Sequence, residues 1–236
     1  MGNKNFYIGL IPARRGSKGL KNKNMLLLNR KPLVQHTFDA ANSSSYIDEV
    51  WVSSDDLNIL SLAASMNINC LKRPKQFATD QSSSVDVVHH FLNSLPDNLD
   101  HEKTYIIYLQ PTSPLRDSSH LDEAIDQLIK HNKKSLTSVV RLRKSPFKSF
   151  MISKLGDLQS LFDEGLSNAR RQDLQDTYVP NGAIYIFTIA EFLKRKGFPS
   201  NGSLPFIMSS NDSIDIDDKE DLKIADNFLK AKALNK

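Results

Sequence analysis

The chain has 236 residues, of which 39% are hydrophobic and 25% are charged, a composition that suits a globular α/β protein and excludes wholesale disorder. The net charge of +4 fits an anionic small molecule as well as nucleic acid, so the placement of the cations matters more than their sum. The single cysteine, Cys70, excludes an internal disulfide and a cysteine-rich zinc site. No stretch has the pattern of a signal peptide or the ~20 apolar residues of a membrane span. We therefore expect a cytoplasmic protein with no membrane association.

Short apolar stretches alternate with amphipathic ones through the first 142 residues. Strands are predicted over residues 6–11, 48–53, 67–71, 105–109 and 136–142. Helices are predicted over residues 32–42, 57–66, 85–95 and 121–131, the last capped by Ser118 and Ser119. The alternation is typical of βαβ units, and it predicts an α/β fold with a mostly parallel, doubly wound sheet.

The alternation stops between residues 143 and 180, where the chain is polar with scattered aromatic residues. A structureless loop of that length is improbable in a compact domain, so we expect this segment to have a function of its own. Order returns with a strand at 181–187, a helix at 190–196, a strand at 204–208 and a final amphipathic helix over 222–229. The prediction is one α/β domain formed by residues 1–142 and 181–236, with 143–180 inserted as an arm.

The first strand leads directly into a loop rich in glycine and cations, ARRGSKGLKNKN at residues 13–24. Small residues let a backbone approach a ligand closely, and the cations suit a polyphosphate. The loop is not a Walker A motif, because Gly19 is followed by Leu20, and it lacks a G-x-G-x-x-G that runs into a helix. A solvated basic surface loop is the alternative on residue types alone. The position after the first buried strand favours a phosphate site.

Two carboxylates stand two residues apart in the sequence SIDID, at Asp215 and Asp217. In extended backbone such spacing points both side chains to one side, and paired hard oxygen ligands suit Mg²⁺ bridging phosphates. The alternative is that Asp217 or Asp218 caps the last helix, with Glu220 or Asp221 completing a capping box. One residue can do both.

Two further stretches offer polar side chains for a ligand. QPTSPLR (110–116) follows an apolar strand and presents Gln110, Thr112 and Ser113 on a loop stiffened by prolines, although an ordinary proline turn is the alternative. Arg171 suits a carboxylate or phosphate, and Tyr185 offers a hydroxyl on a strand. Surface solubility and core packing are the alternatives for these two residues. The six histidines show no zinc-ligand spacing, and the chain has no G-x-S-x-G motif of a serine hydrolase.

The sequence LIPARRGSKGLKNKN resembles the nucleotide-binding loop of the N-acylneuraminate cytidylyltransferases, or CMP-sialic acid synthetases, a family that includes legionaminate and pseudaminate cytidylyltransferases. Their pattern A-R-x-x-S-K-G-x-x-x-K-N is matched by Ala13, Arg14, Ser17, Lys18, Gly19, Lys23 and Asn24. QPTSPLR, R-Q-x-L…P-N-G-A-I-Y and D-x-D follow in the family's order, so the resemblance covers nearly the whole chain through four motifs. It implies a Rossmann-like nucleotidyltransferase fold with an extended dimerisation arm.

The resemblance also assigns roles to individual residues. Nucleotide-binding residues would be Ala13, Arg14, Ser17, Gly19, Asn24, Arg73, Ser83 and Ser84. Residues for the acidic sugar would be Gln110, Thr112, Ser113, Lys148, Arg171, Asn181 and Tyr185. Catalytic residues would be Arg14, Lys18, Lys23, Asp215 and Asp217, the two aspartates holding the Mg²⁺ cofactor. The arm would form a homodimer and deliver Lys148 into the partner's active site. Val179 departs from relatives that have arginine there, which bears on the identity of the acid.

The expected reaction joins CTP to an acidic nine-carbon sugar, a nonulosonic acid, with release of pyrophosphate by in-line attack of the anomeric hydroxyl on the α-phosphate. Neuraminate, legionaminate and pseudaminate enzymes share these motifs, so the acid stays open. The alternatives are the same reaction on octulosonate (Kdo), and a non-catalytic sugar-nucleotide binding protein of the same fold. A nucleic-acid partner is disfavoured, because the cations cluster in the glycine loop and the arm and not on a recognition helix.

Overall fold

The structure of the chain is a computed structural model, and it describes residues 4–16, 19–79 and 81–234. The strands, in chain order, are β1 (Phe6–Pro12), β2 (Leu27–Leu28), β3 (Lys31–Pro32), β4 (Glu49–Ser54), β5 (Asn69–Lys72), β6 (Thr104–Tyr108), β7 (Ser135–Arg141), β8 (Phe150–Ile152), β9 (Leu158–Ser160), β10 (Tyr178–Thr188) and β11 (Leu204–Ile207). The helices are α1 (Leu33–Asn42), α2 (Leu57–Ser65), α3 (Ser84–Leu92), α4 (Ser118–Lys130), α5 (Glu164–Asn168), α6 (Ile189–Arg195) and α7 (Lys219–Leu234). No helix in these residues has the length and apolarity needed to cross a membrane.

Seven strands form the central sheet in the order β11-β7-β10-β6-β1-β4-β5. Pairing is parallel except at β10, which is antiparallel to both of its neighbours. The expectation of a mostly parallel α/β sheet is therefore confirmed. β10 is the strand that follows the inserted segment 143–180. The chain therefore re-enters the sheet at the end where β7 leaves it, and β10 runs in the opposite direction to β7.

Helices cover both faces of the sheet because successive side chains of each central strand point to opposite sides. On β1, Tyr7 and Ile11 pack on the face covered by α1, α2 and α4, while Ile8 and Leu10 pack on the other face with α3 and α6. Nearly continuous apolar strands are the signature of a sheet buried on both sides. β6 shows it fully, since all five of its residues are buried.

The order of strands reverses next to β1. From β1 the chain proceeds through β4 to β5 on one side, and then returns to β6 on the other side of β1. Open α/β sheets bind ligands outside the carboxyl ends of the strands at such a switch point. The glycine loop follows β1 and QPTSPLR follows β6, so both lie at this point of the sheet.

The structure corrects three expectations about helices and the arm. Asp117, and not Ser118 or Ser119, is the N-cap of α4: its carboxylate accepts from the amide of His120 at 3.3 Å and from the Ser119 hydroxyl at 2.6 Å. α7 extends over Lys219–Leu234 and is longer than the predicted 222–229. The strand predicted over 181–187 begins earlier, because β10 covers Tyr178–Thr188, and the segment before it contains the hairpin β8–β9 and the short helix α5.

Candidate active site

The glycine loop is folded back on itself by Asn24 and Asn22. Asn24 is buried, and its side-chain amide donates to the carbonyl of Arg14 at 2.9 Å. Asn22 adopts a left-handed conformation (φ 54) that asparagine tolerates better than most residues, and a short turn of 3-10 helix, Lys23–Met25, follows it. The start of the loop is anchored on the neighbouring strand, where the amide of Ala13 donates to the carbonyl of Ser53 at 3.0 Å. Both ends of the loop are thus held by specific contacts and are not freely solvated.

The sequence SIDID, residues 213–217, contains no helix or strand and is held between the two loops. From the glycine loop, Lys23 Nζ donates to the carbonyl of Ile216 at 2.6 Å and to Asp217 Oδ1 at 3.2 Å. From the other side, the amide of Ile216 donates to the carbonyl of Thr112 at 2.8 Å. Gly19 lies so close that a Cβ there would stand 2.4 Å from the carbonyl oxygen of Asp217. These contacts bring three of the predicted motifs to one place.

Asp215 and Asp217 are both exposed while Ile216 between them is fully buried, as the two-residue spacing predicts. Although Asp215 is solvent-accessible, the protein that surrounds it in the cleft raises its pKa, and the nearby charge of Asp217 adds to this. A hydrogen bond from the Thr112 side chain and the charge of Lys23 act in the opposite direction. The Lys23 ammonium is itself largely buried, with 14% of its side chain exposed.

The helix cap and the acidic pair use different residues. The Asp218 carboxylate accepts from the amides of Glu220 at 2.7 Å and Asp221 at 3.0 Å, and the Asp221 carboxylate accepts in return from the amide of Asp218 at 3.0 Å. This is a reciprocal cap at the start of α7. The capping interpretation is therefore confirmed for Asp218 and Asp221, whereas the carboxylates of Asp215 and Asp217 accept from Thr112 and Lys23 respectively.

A pocket of about 210 Å³ opens between the glycine loop and the N-terminus of α3. It is lined by polar side chains from four separate parts of the chain, which include the predicted Arg14, Lys23, Asn24, Arg73, Ser83, Ser84, Gln110 and Thr112. Three cations, two amides and three hydroxyls in so small a space suit a charged, hydrogen-bonding ligand. We call this the first pocket.

Arg73 forms the buried wall of the first pocket. Its guanidinium donates to the Ser53 hydroxyl at 3.1 Å and to the Ser53 carbonyl at 2.6 Å, and burial lowers its pKa. Beside it, burial raises the pKa of Tyr108 to about 12, while a hydrogen bond with Ser84 opposes the rise. Ser83 is the N-cap of α3 and closes a capping box with Asp86. The α3 N-terminus thus faces the pocket with its positive dipole end.

A second pocket, of about 330 Å³, adjoins the first and shares Gln110 with it. Its polar lining includes the predicted Asn181 and Tyr185 together with Asp215 and Ser213, and its apolar wall is formed by Val140, Val179 and Pro180. Val140 and Val179 stand directly opposite each other on β7 and β10. The two pockets therefore meet at Gln110, with Lys23 in the first and Asp215 in the second.

Two residues predicted to bind substrate are engaged inside the protein. Asn181 is buried: its amide nitrogen donates to the Ser213 hydroxyl at 2.8 Å, and its carbonyl oxygen accepts from the Ser138 hydroxyl at 2.6 Å. Ser113 is fully buried and lines neither pocket, and its hydroxyl donates to the carbonyl of Asn181 at 3.5 Å. In this arrangement Asn181 and Ser113 fix the backbone that forms the second pocket.

Lys148 and Arg171 lie in the arm and line neither pocket. Lys148 Nζ donates to the carbonyl of Ser167 at 3.2 Å, and Arg171 Nη2 donates to the carbonyl of Arg143 at 2.5 Å. Arg171 instead borders a separate concavity of about 590 Å³ at the base of the arm. Ser17 and Lys18, also predicted for the site, lie outside the described residues.

Sequence reasoning did not single out Tyr108, although it lines the first pocket. Its signal was its position as the last residue of β6, because ligands bind at the carboxyl ends of the strands in such sheets. Arg116 was noted only as the last residue of QPTSPLR, yet its guanidinium donates to the backbone carbonyl of Gln110. Leu20 and Ile216 were also missed as partners, because their contact joins residues almost two hundred positions apart.

The donor set of Asp215 and Asp217 fits a Mg²⁺ ion that takes only part of its ligands from the protein. In the described ranges no group of three or more histidine, cysteine or carboxylate side chains is arranged to hold a metal. Two accessible carboxylates beside a phosphate-type pocket match the usual mode, in which Mg²⁺ binds one or two carboxylates and completes its octahedron with phosphates and water.

Comparison with known proteins gives the family. The family model described as "Cytidylyltransferase" matches residues 8–227, which is most of the chain. This chain belongs to the cytidylyltransferase family. The match runs from β1 into α7 and includes the glycine loop, QPTSPLR and SIDID. Because it also spans residues 143–180, the arm is part of the region that the family model covers.

Two relatives illustrate the likeness. The chain is 38% identical over 220 residues to an N-acylneuraminate cytidylyltransferase of Escherichia coli, covering 92% of this chain and 51% of that protein. It therefore spans about half the length of that relative. It is 32% identical over 228 residues to a CMP-N,N'-diacetyllegionaminic acid synthase of Legionella pneumophila, and here the match covers 94% of this chain and 95% of the other.

A solved structure supports the fold. A CMP:2-keto-3-deoxy-manno-octonic acid synthetase complexed with CTP superposes with a TM-score of 0.67 over 96% of this chain and 99% of that chain. The sequences are only 15% identical, so this likeness concerns the architecture of the sheet and its helices. It confirms the expected Rossmann-like nucleotidyltransferase fold.

Proposed function

We propose that the protein is a cytidylyltransferase that joins CTP to a nonulosonic acid, giving the CMP-sugar and pyrophosphate. The observation that carries this proposal is the junction of two pockets at Gln110, with Lys23 in one and Asp215 in the other. A group transfer between two substrates needs two adjoining sites whose reactive ends meet. The relatives named for N-acylneuraminate and for diacetyllegionaminic acid are far more similar in sequence than the structural neighbour named for the octonic acid.

In this proposal the first pocket holds CTP. Arg14 and Lys23 face its phosphates, and the Arg73 wall with Ser83 and Ser84 receives the nucleoside. The dipole at the N-terminus of α3 adds a further favourable field for an anion. Lys23 is fixed by the Ile216 carbonyl, so its ammonium is in place before the substrate binds and needs little reorganisation as charge develops.

The second pocket would hold the acid, oriented by Gln110 and Tyr185 with its anomeric hydroxyl toward the α-phosphate. Thr112 links the sites, because its side chain bonds Asp215 and its carbonyl holds Ile216. When bound to Asp215 and Asp217, Mg²⁺ would neutralise phosphate charge and acidify the attacking hydroxyl. No side chain in the described residues is assigned as general base.

The proposal includes a homodimer formed through the arm. Apolar side chains are exposed along it, among them Ile152 at 76%, Leu155 at 89% and Leu158 at 72%. Ile152 and Leu158 are directly opposite on the β8–β9 hairpin, which makes one apolar patch. A contiguous exposed patch of this kind is typical of an interface, and a second copy of the chain is the partner that we propose. A cytoplasmic location, where CTP is available, accompanies this proposal.

The direct test is pyrophosphate release from CTP and Mg²⁺ with N-acetylneuraminate, legionaminate, pseudaminate and Kdo offered separately. Release with a nine-carbon acid is expected, and it would name the substrate at the same time. Release with Kdo alone would retain the reaction and replace the acid. If CTP binds and no acid supports release, the protein is a non-catalytic sugar-nucleotide binder and the proposal fails.

The dimer is tested by sedimentation of the parent and of the double variant Ile152→Lys with Leu158→Lys. The parent is expected to sediment as a dimer and the double variant as a monomer, because two buried ammonium groups would have to be desolvated at the interface. Leu57→Lys is the matched control, since Leu57 is also exposed, at 67%, but lies on α2 outside the arm. A parent that is monomeric at micromolar concentration would refute the arm interface.

A further inference from the structure

We propose that Arg116 is a positioning residue that holds the two walls of the active site at a fixed separation. It is the last residue of QPTSPLR, and it lies behind Gln110, the residue common to both pockets. This inference rests on the proposed function, because it concerns the alignment of CTP with the acid at that junction.

The guanidinium of Arg116 joins three parts of the fold. Nη1 donates to the carbonyl of Gln110 at 3.2 Å and to the carbonyl of Ala183 at 2.9 Å, and Nη2 donates to the hydroxyl of Thr37 at 2.6 Å. Gln110 belongs to the loop after β6, Ala183 to β10, and Thr37 to α1. One rigid fork therefore ties the loop, the antiparallel strand and a helix together.

Burying the charged Arg116 side chain in the core carries a desolvation penalty. Arg116 is 1% exposed, and within the described part of the chain its Nε is buried without a hydrogen-bond partner. Its hydrogen-bond acceptors are neutral carbonyl and hydroxyl oxygens. Desolvation lowers the pKa of the Arg116 guanidinium, and the charge of Asp117 opposes this lowering. An apolar side chain of the same volume would pack at lower cost, so packing does not account for arginine at this position. The need for a planar group with several fixed hydrogen-bond donors does account for arginine there.

The two carbonyls held by Nη1 belong to segments in very close contact. Gly182, which precedes Ala183, has a left-handed φ of 77°, and a Cβ there would lie 2.4 Å from Gln110 Oε1. The Gln110 side chain thus packs directly on the backbone of β10. If Arg116 releases either carbonyl, Gln110 loses this support, and a displacement of about 1 Å at a reacting junction can cost on the order of a hundredfold in rate.

The test compares Arg116→Lys and Arg116→Met with Leu128→Ala, measuring Tm, the Kd for CTP, and the KM and kcat for the acid. Leu128 is a buried residue of α4 about 15 Å along the helix from its N-terminus, so its truncation loosens the core away from the cleft. For Arg116→Met, we expect the KM for the acid to rise about tenfold and kcat to fall about tenfold or more, with Kd for CTP changed less than about threefold. Arg116→Lys should be intermediate, because a single ammonium keeps the charge but loses the fork.

A second measurement does not depend on turnover. Hydrogen–deuterium exchange should increase in residues 110–115 and 182–185 of Arg116→Met, and not in those segments of Leu128→Ala. Kinetic constants equal to the parent's, measured below Tm, would overturn the inference, as would exchange that rises evenly over the core. If the parent itself is inactive with every acid, the proposed function fails, and exchange alone then decides whether Arg116 orders the two walls.

Discussion

The surroundings of Asp215 disfavour the ionised form of its carboxyl group. Surrounding protein and Asp217 raise its pKa, and only Thr112 and Lys23 compensate. A carboxyl group whose pKa is higher in the folded than in the unfolded chain destabilises the fold once it ionises: the penalty is absent below the unfolded pKa and complete above the folded pKa. Such an arrangement is typical of a functional group, because binding a cation there removes the penalty.

Asp215→Asn should therefore be more stable than the parent at pH 7 without divalent metal, and inactive. We expect Tm to rise by roughly 1–3 °C, a small gain because solvent screens an exposed carboxylate. The difference should disappear at about pH 3, where Asp215 is protonated in both states of the parent. Calorimetric scans at both pH values provide the measurement. A variant that is less stable than the parent at pH 7 would contradict the electrostatic account.

Gly19 is a glycine of the loop at which the structure leaves no room for a side chain. A Cβ at Gly19 would meet the carbonyl oxygen of Asp217 at 2.4 Å, whereas a Cβ at Gly16 meets nothing within 4 Å. Gly19→Ala must push the loop from Asp217 and move Lys23 with it. We expect pyrophosphate release to fall at least about tenfold with an unchanged circular dichroism spectrum. Gly197→Ala is the control and should retain activity, because a Cβ there meets only Val85 at an ordinary 3.6 Å and Gly197 lines neither pocket; equal losses in both variants would show that the close approach is unimportant.

Many of the polar residues that line the two pockets could be named from the sequence, but their contacts within the protein could not. The motifs identified Asp215 and Asp217 as ligand-side carboxylates but left open whether Asp217 or Asp218 caps the last helix, and the structure assigns the cap to Asp218 with Asp221. By contrast, the internal bonding of Asn181 depends on Ser138 and Ser213, which come from distant parts of the chain. Spacing along one strand carries no information about such partners.

At the scale of elements, periodicity predicted the strands and helices well because most of them are buried on a regular face. It failed at the start of α4, where the N-cap is Asp117 and not one of the two serines that follow it. It also failed in the arm, because the exposed apolar residues of the β8–β9 hairpin do not face the core and so follow no regular pattern of burial. A strand was predicted at 181–187, but the antiparallel direction of β10 within the central sheet was not. Its direction is set by where the inserted segment returns the chain to the sheet.

A small satellite core joins the functional loops to α7. Leu20 of the glycine loop and Ile216 of SIDID pack with Ala225 of α7, and with Leu28 and Leu33. The loop and the acidic segment thus share apolar support that is separate from the main core. This explains how a loop rich in cations is kept in one shape before a polyphosphate binds.

Leu20→Ala should therefore weaken CTP binding more than a core truncation of equal size. We expect a loss of about 2–3 kcal/mol in the free energy of unfolding for both Leu20→Ala and the control Leu136→Ala, which deletes the same atoms at the start of β7. Only Leu20→Ala should raise the Kd for CTP, by about tenfold, as measured by titration calorimetry at a temperature where both are folded. An unchanged Kd would mean that the loop keeps its shape without this support.

At the scale of the whole molecule, the single chain keeps two predicted site residues away from the cleft. Lys148 and Arg171 lie in the arm and bond the arm's own carbonyls, whereas most of the other described site residues line the two pockets that meet at Gln110. The arm also carries the exposed patch that we assign to the dimer interface. If the arm of one protomer reaches the cleft of its partner, each active site is completed by residues of two chains.

Mixing two inactive variants tests this. Lys148→Ala removes an arm residue and Asp217→Asn removes a cleft residue, so a dimer with one copy of each has one doubly damaged site and one intact site if the arm acts across the interface. Random re-association of equal amounts should then restore about a quarter of the parent's rate of pyrophosphate release, because half of the dimers are mixed and each has one intact site. If Lys148 acts within its own chain, every site keeps one defect and mixing restores nothing. Mixing Asp215→Asn with Asp217→Asn is the control: both changes lie in the cleft of one chain, so no combination yields an intact site.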